Sequence, residues 1–223
     1  MNNNPVIDLD RIIYTGAEAT LYKGKWFDKE VLVKHRRPKK YRIEDLDKKL
    51  RRTRTIIEGK MLISVKKCNV PVPQVFEVDL NNNWLIMKYI KGQKLKDLIG
   101  KIDKSKRKWY FEQIGKYIAF MHKNDFIHGD LTTSNIIITR NEKIFFVDFG
   151  LSTKSIKIED KSVDLHLIKR VLRSTHGQYF EECFESLINS YKLEYGSKSD
   201  EIIDRIETIE SRGRYIEKNK RKN

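Results

Sequence analysis

Apolar and polar residues alternate along the first third of the chain in short runs that are separated by turn residues. The runs are rich in β-branched and aromatic side chains, which are typical of strands. Glycine and aspartate residues stand at, between or inside them, as expected where strands turn back. We predict three antiparallel strands at Arg11 to Tyr14, Thr20 to Trp26 and Glu30 to Lys34, around the turn residues Gly16, Gly24 and Asp28.

A longer period replaces this alternation in the next segment of the chain. Apolar residues recur there at steps of three, four or seven positions, which predicts one face of a long helix. These residues are Ile43, Leu46, Leu50, Ile57, Met61, Val65 and Cys68. Pro71 and Pro73 follow, and proline cannot continue a helix, so we expect the helix to end before them.

Two further strands are predicted before the spacing of apolar residues becomes mainly that of helices. They cover Gln74 to Leu80 and Trp84 to Ile90, joined by a turn of three asparagines. Beyond Gly92 an apolar stripe marks a buried helix at Phe111, Ile114, Ile118 and Met121. We also predict a hairpin of Asn135 to Thr139 with Lys143 to Val147, and helices at Val163 to Leu172, Tyr179 to Tyr191 and Asp200 to Ile209.

These elements predict an α+β protein of two lobes. The first, residues 1–90, is a small antiparallel sheet with one long helix, and the second, residues 91–210, is reduced and mostly helical. Residues 211–223 have no apolar periodicity and many basic residues, which predicts a disordered, solvated tail. Basic tails bind nucleic-acid backbones by releasing counterions, and the candidates are Arg212, Arg214, Lys218, Lys220 and Arg221.

The amino-acid composition limits the kinds of partner and the cellular compartment to be expected. The 46 Lys and Arg residues against 31 Asp and Glu residues give a formal charge of +15, which favours phosphate-rich partners or a lysine-rich solvated surface. Cys68 and Cys183 are the only cysteines, so a disulfide framework is not expected and a reducing, intracellular compartment is. No run reaches the roughly 18 apolar residues that span a bilayer, and we expect no membrane partner.

The strongest chemical signal is the segment HGDLTTSN at residues 128–135, followed by Asp148-Phe149-Gly150 thirteen positions after Asn135. The pair resembles the catalytic loop and metal-binding triplet of protein kinases, with Gly129 where most of them have arginine. That resemblance predicts a kinase-like bilobal fold, ATP as nucleotide and Mg²⁺ as cofactor. Asp130 would orient the nucleophile, while Asn135 and Asp148 would supply the oxygen ligands that Mg²⁺ takes.

The first lobe holds the other candidate nucleotide-binding residues. Lys34 ends a predicted strand at the position from which kinases send a lysine to the α and β phosphates, and Glu58 on the next helix could pair with it. Gly16 allows a backbone approach to phosphate, while Glu18 would either turn outward or reduce nucleotide affinity. Residues 87–90, with Met87 and with Ile90 as a backbone donor, resemble the adenine-binding hinge or are an ordinary buried strand end.

The chain departs from ordinary protein kinases after Gly150. Only Leu151 to Ser162 separate the triplet from the next predicted helix, and no Ala-Pro-Glu motif follows, so the peptide-docking platform is expected to be missing. Asp164 resembles a buried kinase aspartate that accepts backbone hydrogen bonds from the catalytic loop. It could equally be a carboxylate favoured by the dipole of a helix N-terminus.

The ordered set of motifs resembles the p53-related protein kinase family, the small atypical kinase subunit of the KEOPS complex. The motifs are the GAEA loop, HGDLTTSN, VDFGLS, the short segment after it, VDLHLIKR and SRGR. The resemblance implies a cytoplasmic serine/threonine kinase and ATPase that supports threonylcarbamoyladenosine formation on tRNA. It also implies contacts with the complex's threonylcarbamoyl-transferring subunit and small regulatory subunit, and a tail that handles tRNA.

Two alternatives remain open at this stage. RIO-type ribosome-assembly kinases and aminoglycoside-type kinases share the Gly-Asp loop, but the former usually lack Phe-Gly after the metal aspartate. The latter favour an extra histidine where this chain has Thr132 and Thr133. The second alternative is a catalytically weak scaffold that binds tRNA. It would explain the positive charge and the lack of repeated glycines in the phosphate loop. A scaffold, however, has no need to retain Lys34, Asp130, Asn135 and Asp148.

Overall fold

A computed structural model describes the backbone of residues 7–220 and the side chains of residues 7–211. The N-terminal lobe is a five-stranded antiparallel sheet in the order β1-β2-β3-β5-β4, crossed by one long helix. Its elements are β1 (Ile7–Thr15), β2 (Thr20–Trp26), β3 (Lys29–His35), α1 (Glu44–Lys67), β4 (Val75–Asp79) and β5 (Trp84–Lys88). The predicted strands and long helix are therefore confirmed, with ends that differ by a few residues.

The alternation of β3 points Lys34 into the lobe's interior. Val31 and Val33 are fully buried and form a small cluster with Ile86 on one face of the sheet. Lys34 stands between Leu21 of β2 and Leu85 of β5 in the register, and side chains of successive strand residues lie on opposite faces. Lys34 is therefore directed to the face that carries α1 rather than to the valine cluster.

The predicted apolar face of α1 is only half right. Met61 and Val65 are buried, but Ile43, Leu46 and Ile57 have 76%, 50% and 39% of their surface exposed. The first half of the segment is held by charged residues instead, since Asp47 pairs with Arg51 at 2.6 Å and with Arg42 at 3.5 Å. Apolar periodicity alone did not distinguish the half of the helix that packs against the sheet.

The C-terminal lobe is mostly helical, as predicted. Its helices are α2 (Leu95–Leu98), α3 (Lys104–Lys123), α4 (Ile158–Thr175), α5 (Phe180–Tyr195) and α6 (Ser199–Lys220). One small sheet joins β6 (Gly92–Lys94), β8 (Ile136–Thr139) and β9 (Ile144–Phe146), and another pairs β7 (Phe126–Ile127) with β10 (Thr153–Lys154). The predicted stripe on α3 is fully buried at Phe111, Ile114, Ile118 and Met121. The predicted hairpin is β8 with β9, antiparallel, with Ile136 opposite Phe146.

The C-terminal helix extends beyond the predicted one. α6 runs to Lys220, so ten positions of the segment for which composition predicted disorder are helical. Ile202 and Ile206 bury α6 against the core, and Glu210 pairs with Lys169 of α4 at 3.0 Å. The Glu, Lys and Arg residues that follow are good helix formers and continue the helix from this anchor.

The tail candidates cannot be assigned contacts. The side chains of Arg212, Arg214, Lys218 and Lys220 and the whole of Arg221 lie outside the described residues. Their role in binding tRNA stays a prediction. Among residues 7–220, none of the helices is both long and apolar enough to cross a membrane.

Candidate active site

The two lobes meet at a lysine that bridges two carboxylates. Lys34 on β3 donates from Nζ to Oε1 of Glu58 on α1 at 2.7 Å and to Oδ1 of Asp148 at 2.6 Å. The side chains of Lys34 and Glu58 are 9% and 1% exposed. The predicted pairing of Lys34 with Glu58 is present, and it extends to the predicted metal ligand on the other lobe.

Burial and charge act in opposite directions on this cluster. Burial disfavours the charged ammonium of Lys34, but the attraction of Glu58 and Asp148 outweighs it and raises the lysine pKa. Burial likewise opposes the charged form of Asp148, yet Lys34 holds the pKa of that carboxyl below its ordinary value. Both groups therefore remain charged at neutral pH, which suits the predicted roles of Lys34 with phosphate and of Asp148 with a metal ion.

Asp148 is exposed enough to reach a ligand. Its side chain is 49% exposed, in contrast to the buried Glu58. Its backbone has φ of 64°, a left-handed conformation that a non-glycine residue adopts only when the surroundings enforce it. Backbone strain of this kind concentrates at functional sites, and here it accompanies the aspartate that the sequence assigned to the metal.

The catalytic loop is held by a buried aspartate. Asp164 of α4 is fully buried and accepts hydrogen bonds from the backbone N–H of His128 at 2.6 Å and of Gly129 at 2.8 Å. α4 begins at Ile158, so Asp164 is inside the helix and not at its N-terminus. Of the two interpretations of Asp164, the one in which it fixes the loop is confirmed.

Glycine at position 129 follows from the same geometry. Gly129 has φ of +79°, and a Cβ there would lie 2.4 Å from the carbonyl oxygen of Leu151. Any side chain would therefore strain the loop and collide with the segment after Gly150. This explains why the arginine of most protein kinases is replaced here.

Asp130 and Asn135 are fixed to each other at the tip of the loop. The Nδ2 amide of Asn135 donates to Oδ2 of Asp130 at 2.8 Å and to its backbone oxygen at 2.9 Å. Both bonds use the amide nitrogen, so the amide oxygen of Asn135 is the atom that can serve as a metal ligand. Asp130 is thereby oriented as a candidate general base.

The donor set fits Mg²⁺. A half-exposed carboxylate and an amide oxygen are hard ligands, and Mg²⁺ commonly keeps water and substrate phosphate in its remaining positions. Within the described part of the chain, no group of three or more His, Cys, Asp or Glu side chains could hold a metal ion. A site that shares its ion with nucleotide phosphates needs only the two residues predicted, Asn135 and Asp148.

The structure gives less information on the predicted phosphate-binding loop and on the predicted adenine-binding hinge. Gly16 donates its N–H to the oxygen of Ala19 at 3.0 Å in a tight turn, and Glu18 pairs with Arg54 of α1 and, at 3.8 Å, with Arg42. Glu18 therefore turns toward α1, and its effect on nucleotide affinity stays a prediction. Met87 and Ile90 are buried, with 4% and 9% of their surfaces exposed, so the hinge assignment stays a prediction.

Sequence reasoning missed two residues behind the loop. His122 of α3 contacts Oδ2 of Asp164 through Nε2 at 3.4 Å, and its Nδ1 lies 3.0 Å from the hydroxyl of Tyr191 on α5. All three side chains are fully buried. The only available signal was a histidine beside the buried position Met121, which has no motif of its own.

A third missed residue is Arg36. It is buried, with 4% of its surface exposed, and donates to Oε2 of Glu58 at 2.5 Å. The spacing could have revealed it, because residues two apart at the end of a strand lie on the same face, and Lys34 already faced Glu58.

Comparison with known proteins agrees with this geometry. Residues 8–171 match the protein kinase domain family. The chain is 42% identical to the KEOPS complex subunit Bud32 of Pyrococcus abyssi over 93% of its own length and 97% of that protein. It is also 41% identical to probable bifunctional tRNA threonylcarbamoyladenosine biosynthesis proteins of Methanobrevibacter smithii and Methanosphaera stadtmanae, over 96% and 93% of its length. It covers only 38% and 37% of those longer proteins.

Family membership follows from the extent of these matches together with the converging site residues. The kinase domain match covers most of the chain, and the archaeal Bud32 protein aligns with it almost end to end. The chain belongs to the protein kinase family and, within it, to the p53-related atypical kinases that include the KEOPS subunit Bud32.

Proposed function

We propose that the chain is an ATP-dependent phosphotransferase and ATPase, with serine/threonine kinase activity, that supports threonylcarbamoyladenosine modification of tRNA as a cytoplasmic KEOPS subunit. The observation that carries the catalytic part is the bridge from Lys34 to both Glu58 and Asp148. It joins a cation from one lobe to the metal-binding aspartate of the other, and a scaffold has no physical need for this arrangement.

Lys34 and Asp148 prepare the site for a triphosphate. Lys34 stays charged and, held by Glu58, can bind phosphate oxygens in a fixed position. Mg²⁺, when bound, would supply positive charge that stabilises the negative charge of the phosphates. Asp148 and the amide oxygen of Asn135 would hold this ion. Because Lys34 now contacts Asp148 directly, ligand binding exchanges that contact for contacts with phosphate.

Asp130 acts on the acceptor. Asn135 fixes its carboxylate, so Asp130 can accept a hydrogen bond from a hydroxyl and take its proton as the bond to the γ-phosphorus forms. The bond from that phosphorus to the β,γ-bridging oxygen breaks in the same transfer, and ADP leaves. Phosphoryl transfer needs positioning of the acceptor more than a strong base, so a serine hydroxyl and water are both suitable acceptors. The same site therefore supports kinase and ATPase activity.

The relatives support the tRNA-related part of the proposal. The archaeal Bud32 is named as a KEOPS subunit, and the bifunctional relatives are named for tRNA threonylcarbamoyladenosine biosynthesis. Those bifunctional proteins are more than twice as long as the matched region, so they join a kinase-like part to a further part. We infer that this chain associates with the corresponding separate protein, the threonylcarbamoyl-transferring subunit, and with the complex's small regulatory subunit. The charge of +15 suits a complex that handles tRNA.

ATP turnover by the purified chain tests the catalytic part. We expect Mg²⁺-dependent release of phosphate from ATP, and we expect Asp148→Asn to remove it because the ion loses its carboxylate. Asp204→Asn, an exposed change of the same chemistry on α6, is the matched control and should retain turnover. If the purified chain shows no Mg²⁺-dependent ATP turnover, either alone or with tRNA and partner subunits, the catalytic proposal is wrong and the scaffold interpretation is favoured.

Capture of the complex tests the biological part. A pull-down at low and high salt, with identification of bound RNA and proteins, should recover a tRNA-modifying assembly. Salt should weaken the RNA contact more than the protein contacts, because counterion release makes phosphate binding salt-sensitive. Recovery of ribosomal pre-subunits would favour the RIO-type alternative.

A further inference from the structure

Arg36 is a buried cation that ordinary accounts of the kinase lysine and glutamate pair do not require. It follows β3 directly, two residues after Lys34, and its backbone N–H donates to the oxygen of Asn83 at 3.2 Å. This bond anchors Arg36 to the residue that precedes β5. Its guanidinium reaches Oε2 of Glu58 at 2.5 Å, while Oε1 of the same carboxylate holds Lys34 at 2.7 Å.

The two cations therefore divide one carboxylate between them. Glu58 is 1% exposed, and a buried carboxylate without full compensation is strongly unfavourable. Lys34 alone cannot compensate it, because the same ammonium also bonds Asp148 at 2.6 Å. With Arg36 present, the cluster holds two positive and two negative side chains, and without it one negative charge is left in excess.

Nucleotide binding increases this need. When Lys34 exchanges its contact with Asp148 for the more highly charged phosphates, its hold on Glu58 weakens. Arg36 makes no contact with Asp148 in the described hydrogen bonds, so its bond to Glu58 does not depend on the contact between Lys34 and Asp148. Glu58 then stays in place and continues to orient Lys34.

Arg36 also reaches the metal-binding triplet of the other lobe. A Cβ built on Gly150 would lie 3.0 Å from Nη2 of Arg36, 3.3 Å from Oδ1 of Asp148 and 3.5 Å from Oε2 of Glu58. The guanidinium thus packs against the backbone immediately after Asp148 and Phe149. A side chain at Gly150 would crowd this approach.

We propose that Arg36 is a positioning residue for phosphoryl transfer, which holds Glu58, and through it Lys34, while packing against Gly150 beside Asp148. It acts without touching the nucleotide. The proposal rests on the proposed catalytic function, and it adds a residue to the site that the kinase motifs do not include.

A double-mutant cycle tests the proposal with ATP turnover as the readout. Arg36→Ala should lower kcat by on the order of 10- to 100-fold, as expected when a catalytic group is misplaced, with less than about a 3-fold change in KM. Glu58→Ala should lower it similarly. Because Arg36 acts through Glu58, adding Arg36→Ala to Glu58→Ala should cost less than about a further 2-fold.

Conservative variants and a neighbour supply the controls. Arg36→Lys keeps the charge and should retain turnover within about 5-fold of the wild type, whereas Arg36→Gln keeps a donor without charge and should fall toward Arg36→Ala. Arg37→Ala removes the exposed next arginine, which contacts the hydroxyl of Tyr22, and should leave kcat unchanged. Thermal unfolding of each variant identifies any variant that loses activity because it unfolds. If Arg36→Ala unfolds, the comparison of Arg36→Lys with Arg36→Gln decides whether the charge of Arg36 is needed for turnover.

The outcomes separate the two proposals. If the wild-type protein turns over ATP but the losses of the two single variants multiply in the double variant, the role of Arg36 is overturned and the proposed function stays intact. Equal activity of the Arg36→Lys and Arg36→Gln variants has the same consequence. A wild-type chain without Mg²⁺-dependent turnover overturns the proposed function itself, and the role of Arg36 with it. If the wild-type protein turns over ATP and Arg36→Ala causes little further loss in the Glu58→Ala background, both the proposed function and the role of Arg36 are supported.

Discussion

Removing Asp164 should both destabilise the protein and disable the loop. The carboxylate accepts two backbone hydrogen bonds, from His128 at 2.6 Å and Gly129 at 2.8 Å, in a fully buried position. Each buried donor left without a partner costs about 1 to 3 kcal/mol, so Asp164→Ala should lower the free energy of unfolding by roughly 2 to 6 kcal/mol. That is a large part of the roughly 5 to 15 kcal/mol of a typical domain.

Urea denaturation followed by circular dichroism measures this loss. Asp164→Asn keeps one acceptor oxygen and should lose about half as much, roughly 1 to 3 kcal/mol. Glu185→Ala, an exposed change on α5, is the control and should stay within about 0.5 kcal/mol of the wild type. A loss below about 1 kcal/mol for Asp164→Ala would refute the reasoning, since the loop would then not depend on these bonds.

Three further changes test separate parts of the site. Gly129→Ala places a Cβ 2.4 Å from the oxygen of Leu151 at φ of +79° and should destabilise the protein by about 1 to 3 kcal/mol or more; wild-type stability in urea would contradict the strained geometry. The pKa of Asp148 is lowered in the folded state, so its contribution to stability is complete above the ordinary carboxyl pKa and is lost as pH falls through the lowered value. The difference in Tm between the wild type and Asp148→Asn should therefore shrink on acidification, and a constant difference would argue against the pairing with Lys34. Glu18 turns toward Arg54, so Glu18→Gln should change KM for ATP by less than about 2-fold, as expected for an exposed pair; a much lower KM would mean that Glu18 faces the phosphates.

The positions of the candidate site residues were predictable because their spacing in the sequence is local. Asp130 and Asn135 share one loop, and Asp148 follows the hairpin that the sequence also predicts, so motif order and strand pattern together predicted the candidate site. Lys34 and Glu58 were predicted from a strand end and a helix, and their contact at 2.7 Å confirms the pairing. Each of these signals lies within one or two adjacent elements.

The remaining parts depend on tertiary contacts that periodicity does not reveal. Asp164 remained ambiguous because the start of its helix was predicted at Val163, whereas α4 begins at Ile158. His122 and Tyr191 come from α3 and α5 and meet only because these two helices pack on each other, while His122 also contacts Asp164 of α4. The segment between Gly150 and that helix is also shorter than predicted, which further separates the chain from kinases with a peptide-docking platform.

In the proposed mechanism, Asp130 takes the acceptor proton while Lys34, Asn135 and Asp148 hold the nucleotide and its metal ion. Asp130→Asn in the purified chain tests this most directly, with ATP hydrolysis and nucleotide affinity measured on the same preparation. We expect hydrolysis to fall by about 10²- to 10⁴-fold, the usual worth of a general base, with nucleotide affinity nearly unchanged and Asp204→Asn fully active. Hydrolysis at the wild-type rate in Asp130→Asn would contradict the mechanism.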